Sequence, residues 1–417
     1  MIRIAFICWD YYPYSGACTN LLSKILKAGF KDKTFEVHVI TSKRSMKDSY
    51  EEYIDDIHIH RVLSAECITA NTIKTEFSHY PFESLSLIWQ KALRKRKQSI
   101  DYKKSFIDFS IVRSIYNRLL GFKDVFNVVI PIAGYYETVA AALMYKEVIS
   151  CRLITYQVDP CSTNHAYDYV TYNQRATFEE QLIEQTDKII TTPLIFDDLK
   201  NTVFKSYTNK IILMEFPNIV IDNERRYPIK KGSRKIQCIY TGRIYKNARN
   251  PKFAINIFSK LTDDVEFKLV GVDSNSIEQY MNSDSIGNNI KFVGVVSYDK
   301  TREYVEQADY LVNIGNIMLN QVPSKLFEYI STGKPIINLC VHRNCPSLEY
   351  LKKYPYVLNL FEEDSLDQQA EQLRDFLQKN IGKTVSLDYV KHAYRECTAQ
   401  YCAELMKKTV FSILKET

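Results

Sequence analysis

Residues 321–339 read QVPSKLFEYISTGKPIINL, and Ser324, Lys325 and Glu328 within them are spaced to act on one ligand. Pro323 before them, with Gly333 and Pro335 after them, marks a short helix that runs into an apolar strand. The first N–H groups of a helix have no internal partners, and the macrodipole favours an anion there. A lysine in that turn therefore competes with nothing but a bound negative group, although the pattern equally suits an ordinary helix-to-strand unit of an α/β protein. Two further candidates follow strands near the N-terminal half. Gly16, after the first strand, permits a close backbone approach to a ligand, whereas Tyr11, Tyr12 and Tyr14 beside it read as packing aromatics. The strand RLITYQVDP ends at Asp159 and His165 follows in the next loop, where either can exchange a proton with a bound hydroxyl. His58 and His60 in DIHIHRV share a strand face, which reads as a solvated face rather than a zinc pair.

The elements that must position these groups alternate between strand and helix. IRIAFICWDYY is a continuous apolar strand, TNLLSKILKAGF has helical spacing and FEVHVITS is a second strand, which together begin a βαβ unit. IHIHRVL, VFNVVIPI, CRLITYQV and KIITT continue the strands, and EFPNIVIDNERRYPIKKGSRK is a polar exit. A second series starts at IQCIYTGRI and runs through PKFAINIFSKL, VEFKLVG, IKFVGVV, KTREYVEQA and DYLVNIGN to the helix and strand of residues 321–339. The stretch YVKHAYRECTAQYCAELMKKTVFSILKE reads as one long helical tail. With 417 residues, more than one ordinary core holds, the expectation is two α/β domains. These are an N-terminal Rossmann-like domain over 1–218, a C-terminal Rossmann-like domain over 219–395, and a helix over 396–417 that crosses back to the first domain. Ligands of such folds bind at the carboxyl ends of the strands, so a cleft between the two sheets is expected to hold the site.

Composition narrows the class. The N-terminus has too short an apolar run for a secretory signal, and no stretch approaches the roughly 18 apolar residues of a membrane span, so a chain beginning near Met1 inside the cell is expected. Ten cysteines without a Cys-x-x-Cys pair fit reduced, buried thiols. The net charge of +6 resides in one place: KALRKRKQSIDYKK, residues 91–104, carries seven basic residues against one Asp, and the remainder balances at 48 of each sign. Upstream, Phe82, Leu85, Trp89 and Ala92 have helical spacing and precede Arg94, Lys95, Arg96 and Lys97. Residues 82–97 thus read as a helix on an anionic membrane face, with a solvated helix as the alternative; no nucleic-acid motif accompanies the charges.

Three stretches resemble the retaining, nucleotide-sugar-dependent glycosyltransferases of the GT-B fold, family four, of bacterial surface-polysaccharide type. They are WDYYPYSGACTNLLSKIL, IYTGRIYKNARNPKFAINIF, and FVGVVSYDKTREYVEQADYLVNIGN leading into VPSKLFEYISTGKPIINL. The likeness covers most of the second domain and both ends of the first. It implies two Rossmann-like domains facing across a cleft, and transfer of a sugar from a nucleotide-diphosphate donor to a glycan or lipid-linked acceptor.

The resemblance also implies roles for residues. Gly242 and Arg243, with Arg249 or Lys246 as a second cation, would meet the diphosphate together with Lys325 and the N–H groups near Ser324. Arg249 is favoured over Lys246 because ARNP stands where a helix should begin. Glu328 would accept hydrogen bonds from the ribose, the alternative being a helix-surface glutamate offset by Lys325. Family members commonly carry a glutamate eight positions before Glu328, where this chain has Asn320, whose amide can still bind a sugar hydroxyl. Asp159 and His165 would position the acceptor hydroxyl or the donor sugar, and Gly16 would let the backbone approach the bound ligand. The chain has no Asp-x-Asp triplet for a metal, so no metal or other cofactor is expected and cations must neutralise the leaving phosphate. The implied place is cytoplasmic, peripheral on the inner face of the membrane. The alternatives are a sugar-nucleotide epimerase of the same two-domain fold and a non-catalytic nucleotide-sugar binder.

Overall fold

The computed structural model describes residues 1–14, 16–45, 47–63, 107–163, 170–220, 235–244, 249–273, 277, 280 and 286–416. They divide into two units, Met1–Pro217 with Ala399–Thr417, and Asn218–Thr398.

In the first unit the strands are β1 (Ile2–Ile7), β2 (Phe35–Ser42), β3 (Glu51–Ile54), β4 (Ile57–Val62), β5 (Val128–Ala133), β6 (Arg152–Gln157), β7 (Lys188–Thr191) and β8 (Ile211–Leu213). They lie in the order β3-β4-β2-β1-β5-β6-β7-β8, parallel throughout except for the β3–β4 hairpin. The apolar run of β1 is buried on both faces, as a central parallel strand requires. Ile4 and Phe6 pack with the Ala17–Gly29 and Ala399–Lys415 helices, and Ala5 and Ile7 with Phe109–Leu120 and Tyr136–Val148. Gly29 is what lets the last helix approach the first: a Cβ there would stand 2.6 Å from the Ala403 Cβ. Strand order reverses between β1 and β5, and the loops after those two strands diverge to opposite faces.

The second unit repeats the principle with β9 (Ile236–Thr241), β10 (Val265–Val270), β11 (Ile290–Gly294), β12 (Tyr310–Ile314), β13 (Ile336–Cys340) and β14 (Val357–Phe361). Their order is β11-β10-β9-β12-β13-β14, all parallel, and the reversal lies between β9 and β12. Both units are wound α/β layers, as the alternating pattern predicts.

Three features depart from the sequence reading. The expected single terminal helix is broken into Leu387–Ala393, a 3-10 turn at Arg395–Cys397, and Ala399–Lys415. Tyr394 is buried in the second unit with its hydroxyl on the Tyr350 carbonyl (2.8 Å), and the Ile219 N–H takes the Cys397 carbonyl (3.0 Å), so tertiary bonds interrupt a helical periodicity. The face carrying His58 and His60 is not solvated. His60 is buried and stacks with His38 beneath Phe122, because β3 extends the sheet past β4 and Phe122 covers that face. Strands β3, β8 and β14 lay outside the predicted set. The β3–β4 turn uses Asp55 and Asp56 at positive φ, the geometry a two-residue hairpin needs.

The nine described cysteines are free thiols, all buried but Cys18. Among the described residues no helix is long and apolar enough to cross a membrane. The basic segment at 82–97 lies outside the described residues.

Candidate functional site

In the second unit the polar groups gather where strand order reverses. β9 ends at Thr241 and is followed by Gly242 and Arg243; β12 ends at Ile314 and is followed by Gly315 and Asn316. Gly242 has φ +147°, and a Cβ on Gly271 (φ +92°) would stand 2.8 Å from the Gly242 carbonyl oxygen. The turns after β9 and β10 therefore touch backbone to backbone, which only glycines permit. Arg249 crosses the reversal point. Its Nε and Nη2 donate to the Asn316 Oδ1 at 3.1 and 2.8 Å, and its Nη1 lies 3.4 Å from both the Tyr240 hydroxyl and the Arg243 carbonyl. Tyr240 donates to that same carbonyl at 3.0 Å, which sets the turn bearing the exposed Arg243.

The helix after β12 spans Ser324–Thr332. Its Leu326, Phe327, Tyr329 and Ile330 are buried, which leaves Ser324 exposed and Lys325 and Glu328 partly so. Pro323 caps it without a side-chain hydrogen bond, so the first N–H groups receive nothing from their own cap residue. It ends at Gly333 (φ +74°), where a Cβ would come within 2.3 Å of the Val385 carbonyl oxygen. Tyr329 fixes the helix to β9: its hydroxyl accepts the Thr241 N–H at 2.8 Å and lies 3.0 Å from the Thr241 Oγ1. Burial pushes the Tyr329 phenol well above its ordinary range, so it stays protonated there.

One expectation about this helix is corrected. Lys325 does not await an external anion alone, since its Nζ pairs with Glu328 Oε2 at 2.7 Å one turn along. The i, i+3 spacing makes that pairing local. Arg249 and Asn316 with Tyr329 and Thr241 thus bring Gly242, Arg243, Arg249, Asn320, Ser324, Lys325 and Glu328 onto the segments that follow β9 and β12. Lys246 lies outside the described residues, as does His165.

The first unit has its own polar cluster at the ends of β1, β5 and β6. Asp10, after β1, pairs with Arg44 and accepts from the Tyr135 hydroxyl at 3.2 Å, a bond that crosses the β1–β5 reversal. Gly16 caps the Ala17–Gly29 helix in extended conformation (φ −157°), and a Cβ there would make ordinary 3.7 Å contacts, so its turn does not require glycine. Asp159 follows β6 and its N–H takes the Ala133 carbonyl at 3.2 Å. Half-buried, its carboxyl is pushed up to about 6 by desolvation, into the range of a group that exchanges protons near neutrality. Tyr11 is buried and packs, as expected; Tyr14 donates to Asp48 at 2.7 Å.

Asn316, Tyr329, Asp10 and Tyr135 were not legible as site residues, because each matters through a partner distant in sequence. Among the described residues no three of His, Cys, Asp and Glu cluster as metal ligands. Arg243 and Arg249 on the segment after β9, and Lys325 in the first turn of the Ser324–Thr332 helix, are residue types suited to binding a polyanion.

A sequence model of the family "Glycosyl transferases group 1" matches residues 235–378. A search of curated protein sequences returned no match to the chain. Solved structures with a similar fold include the sucrose-phosphate synthase of Thermosynechococcus elongatus, at a TM-score of 0.66 and 12% identity over 100% of both chains. The lipopolysaccharide outer core galactosyltransferase WaaB follows at 0.61 and 12%, over 99% of this chain and 100% of that one. Anabaena HepE in complex with UDP and glucose gives 0.55 and 11%, over 100% of both chains. Residues 235–378 are thus similar to the glycosyl transferases group 1 family, and the chain has the α/β fold of GT-B glycosyltransferases.

Proposed function

We propose that this protein transfers a sugar from a nucleoside-diphosphate donor to a glycan or lipid-linked acceptor, with retention at the anomeric carbon and without a metal ion. The observation that carries the reading is the tie of Arg249 to Asn316 across the β9–β12 reversal, which sets cations and an uncapped helix start on adjoining segments. In this reading Gly242, Arg243, Arg249 and Lys325, with Lys246 as a further cation, meet the diphosphate beside the N–H groups near Ser324. Glu328 binds the ribose, and its pairing with Lys325 holds both residues for adjacent parts of one nucleotide. Asn320 offers its amide to the donor sugar.

The bond from the anomeric carbon to the phosphate oxygen breaks as the acceptor oxygen attacks the same face. The departing phosphate oxygen takes the acceptor proton. Cations facing that oxygen stabilise the charge it gains. Asp159 and His165 are assigned to orient the acceptor hydroxyl or the donor sugar. The HepE structure, solved with UDP and glucose, supports a donor of this class.

A thermal-shift screen against UDP-, GDP-, dTDP- and CMP-sugars tests the reading, because a ligand bound only by the folded state raises its melting temperature. Selective stabilisation by one nucleotide is expected; no stabilisation by any of them defeats it. With the donor so identified, turnover should persist in excess EDTA, and loss restored only by a divalent metal would reopen the mechanism.

A further inference from the structure

Glu179 lies two turns into the Tyr172–Gln185 helix, and its side chain is almost wholly buried, with 1% of the residue exposed. A buried carboxylate is costly unless donors surround it. Here Oε1 takes the Cys161 N–H at 2.9 Å, the Gln157 amide at 2.6 Å and the Tyr136 hydroxyl at 2.7 Å, while Oε2 takes the Ser162 N–H at 2.9 Å. These donors come from the end of β6, from the start of the helix after β5, and from the turn that follows Asp159. Tyr136 closes the set. Its hydroxyl receives the Cys161 N–H at 2.7 Å and lies 3.0 Å from the carbonyl oxygen of Asp159 itself.

The turn after β6 is thus held by two side chains, Glu179 and Tyr136, rather than by a regular element. We propose that Glu179 is a positioning residue for Asp159: by gripping the N–H groups of Cys161 and Ser162 it fixes the 159–162 turn and the direction in which the Asp159 carboxyl faces. The role in sugar transfer rests on the reading of Asp159 above; the grip itself does not.

The chemistry makes the carboxylate hard to replace. The two N–H groups sit on separate oxygens, and an amide has only one oxygen, so Glu179→Gln must turn an NH₂ toward one of them. Tyr136→Phe is milder, removing the hydroxyl that bridges Glu179, Cys161 and Asp159.

The test follows the ¹³C carboxyl signal of Asp159 through a pH titration, assigned by its disappearance in Asp159→Asn, together with amide exchange at Cys161 and Ser162. In Glu179→Gln and Tyr136→Phe the Asp159 midpoint should fall by about one pH unit toward the ordinary carboxylate range as the turn opens to water. Exchange at the two amides should rise about tenfold. Wild-type values for both readouts would overturn the proposal. So would faster exchange with an unmoved Asp159 midpoint, which would make Glu179 a purely structural residue. Should Glu179→Gln fail to fold, Tyr136→Phe alone decides. No sugar donor enters the measurement, so its outcome is separate from that of the nucleotide screen.

Discussion

Arg249 and Asn316, sixty-seven positions apart, share two hydrogen bonds to one amide oxygen and so join the segments that leave β9 and β12. Asn316 is buried, and the paired guanidinium lies beside the Arg243 carbonyl at 3.4 Å. A planar fork suits this task and a lysine would not, since it offers a single point of attachment.

Arg243→Ala and Lys325→Ala should each weaken binding of the cognate nucleoside diphosphate by about 1.5–3 kcal/mol, the scale of a charge-assisted hydrogen bond. Neither side chain is part of a core cluster, so melting temperature should change little. Calorimetric titration reads the affinities. If both variants bind as the wild type does, these residues are not in the site.

Tyr329→Phe should cost about 1–3 kcal/mol of stability, because the Thr241 N–H would be left buried without its acceptor. Urea denaturation at constant pH measures it. A change too small to detect would mean that the Tyr329 hydroxyl is not what holds the helix to β9.

A half-buried and a buried group, Asp159 and His60, should give stability opposite pH dependences. Asp159 rises from 3.8 to about 6 on folding, so the folded state holds the extra proton between those values and stability declines as pH rises through them. Asp159→Asn should therefore stabilise the protein at pH 7, by about 1–2 kcal/mol, and do nothing near pH 3.5. His60 falls from 6.5 to about 4, chiefly by burial and then by the Arg118 charge. Arg118 donates to its Nδ1 at 2.6 Å, so its Nε2 carries the proton toward His38, and His38 in turn faces Glu36. Its contribution is full above pH 6.5 and is lost as pH falls toward 4. Denaturation midpoints across pH 3.5–7.5 for wild type, Asp159→Asn and His60→Gln would separate the two; a His60→Gln profile as steep as the wild type's below pH 6.5 rules out the histidine.

The basic run at 91–104 predicts sedimentation with anionic vesicles at low salt and release as salt is raised, each basic residue adding about 1 kcal/mol near the surface. Neutral vesicles should hold the protein poorly. Replacing Arg94, Lys95, Arg96 and Lys97 by Gln should abolish the binding and spare nucleotide affinity. Equal binding to anionic and neutral vesicles, or none to either, would remove the membrane from the account.

The wound α/β character of both units was legible because buried parallel strands are written as unbroken apolar runs, as in IRIAFI and PIINLC. So were the helix at 324–332 and its glycine stop, which depend on neighbours within one or two turns. Less regular elements escaped. The Glu-rich β3 lacks an apolar face, and its strand character comes from pairing with β4. The histidine pair was misread because burial of a strand face depends on what packs over it, here Phe122 and the neighbouring strands.

By itself the sequence determined most of the strands and helices, the start and glycine stop of the 324–332 helix, and where the excess charge resides; these follow from periodicity, capping chemistry and counting. Tertiary structure alone decided that Tyr329 holds Thr241, that Arg249 reaches Asn316, and that Glu179 grips the turn after Asp159. Each of these bonds closes a loop of many residues. Such a bond forms only because the sheet has already brought its partners together, and no local pattern in the chain encodes the meeting.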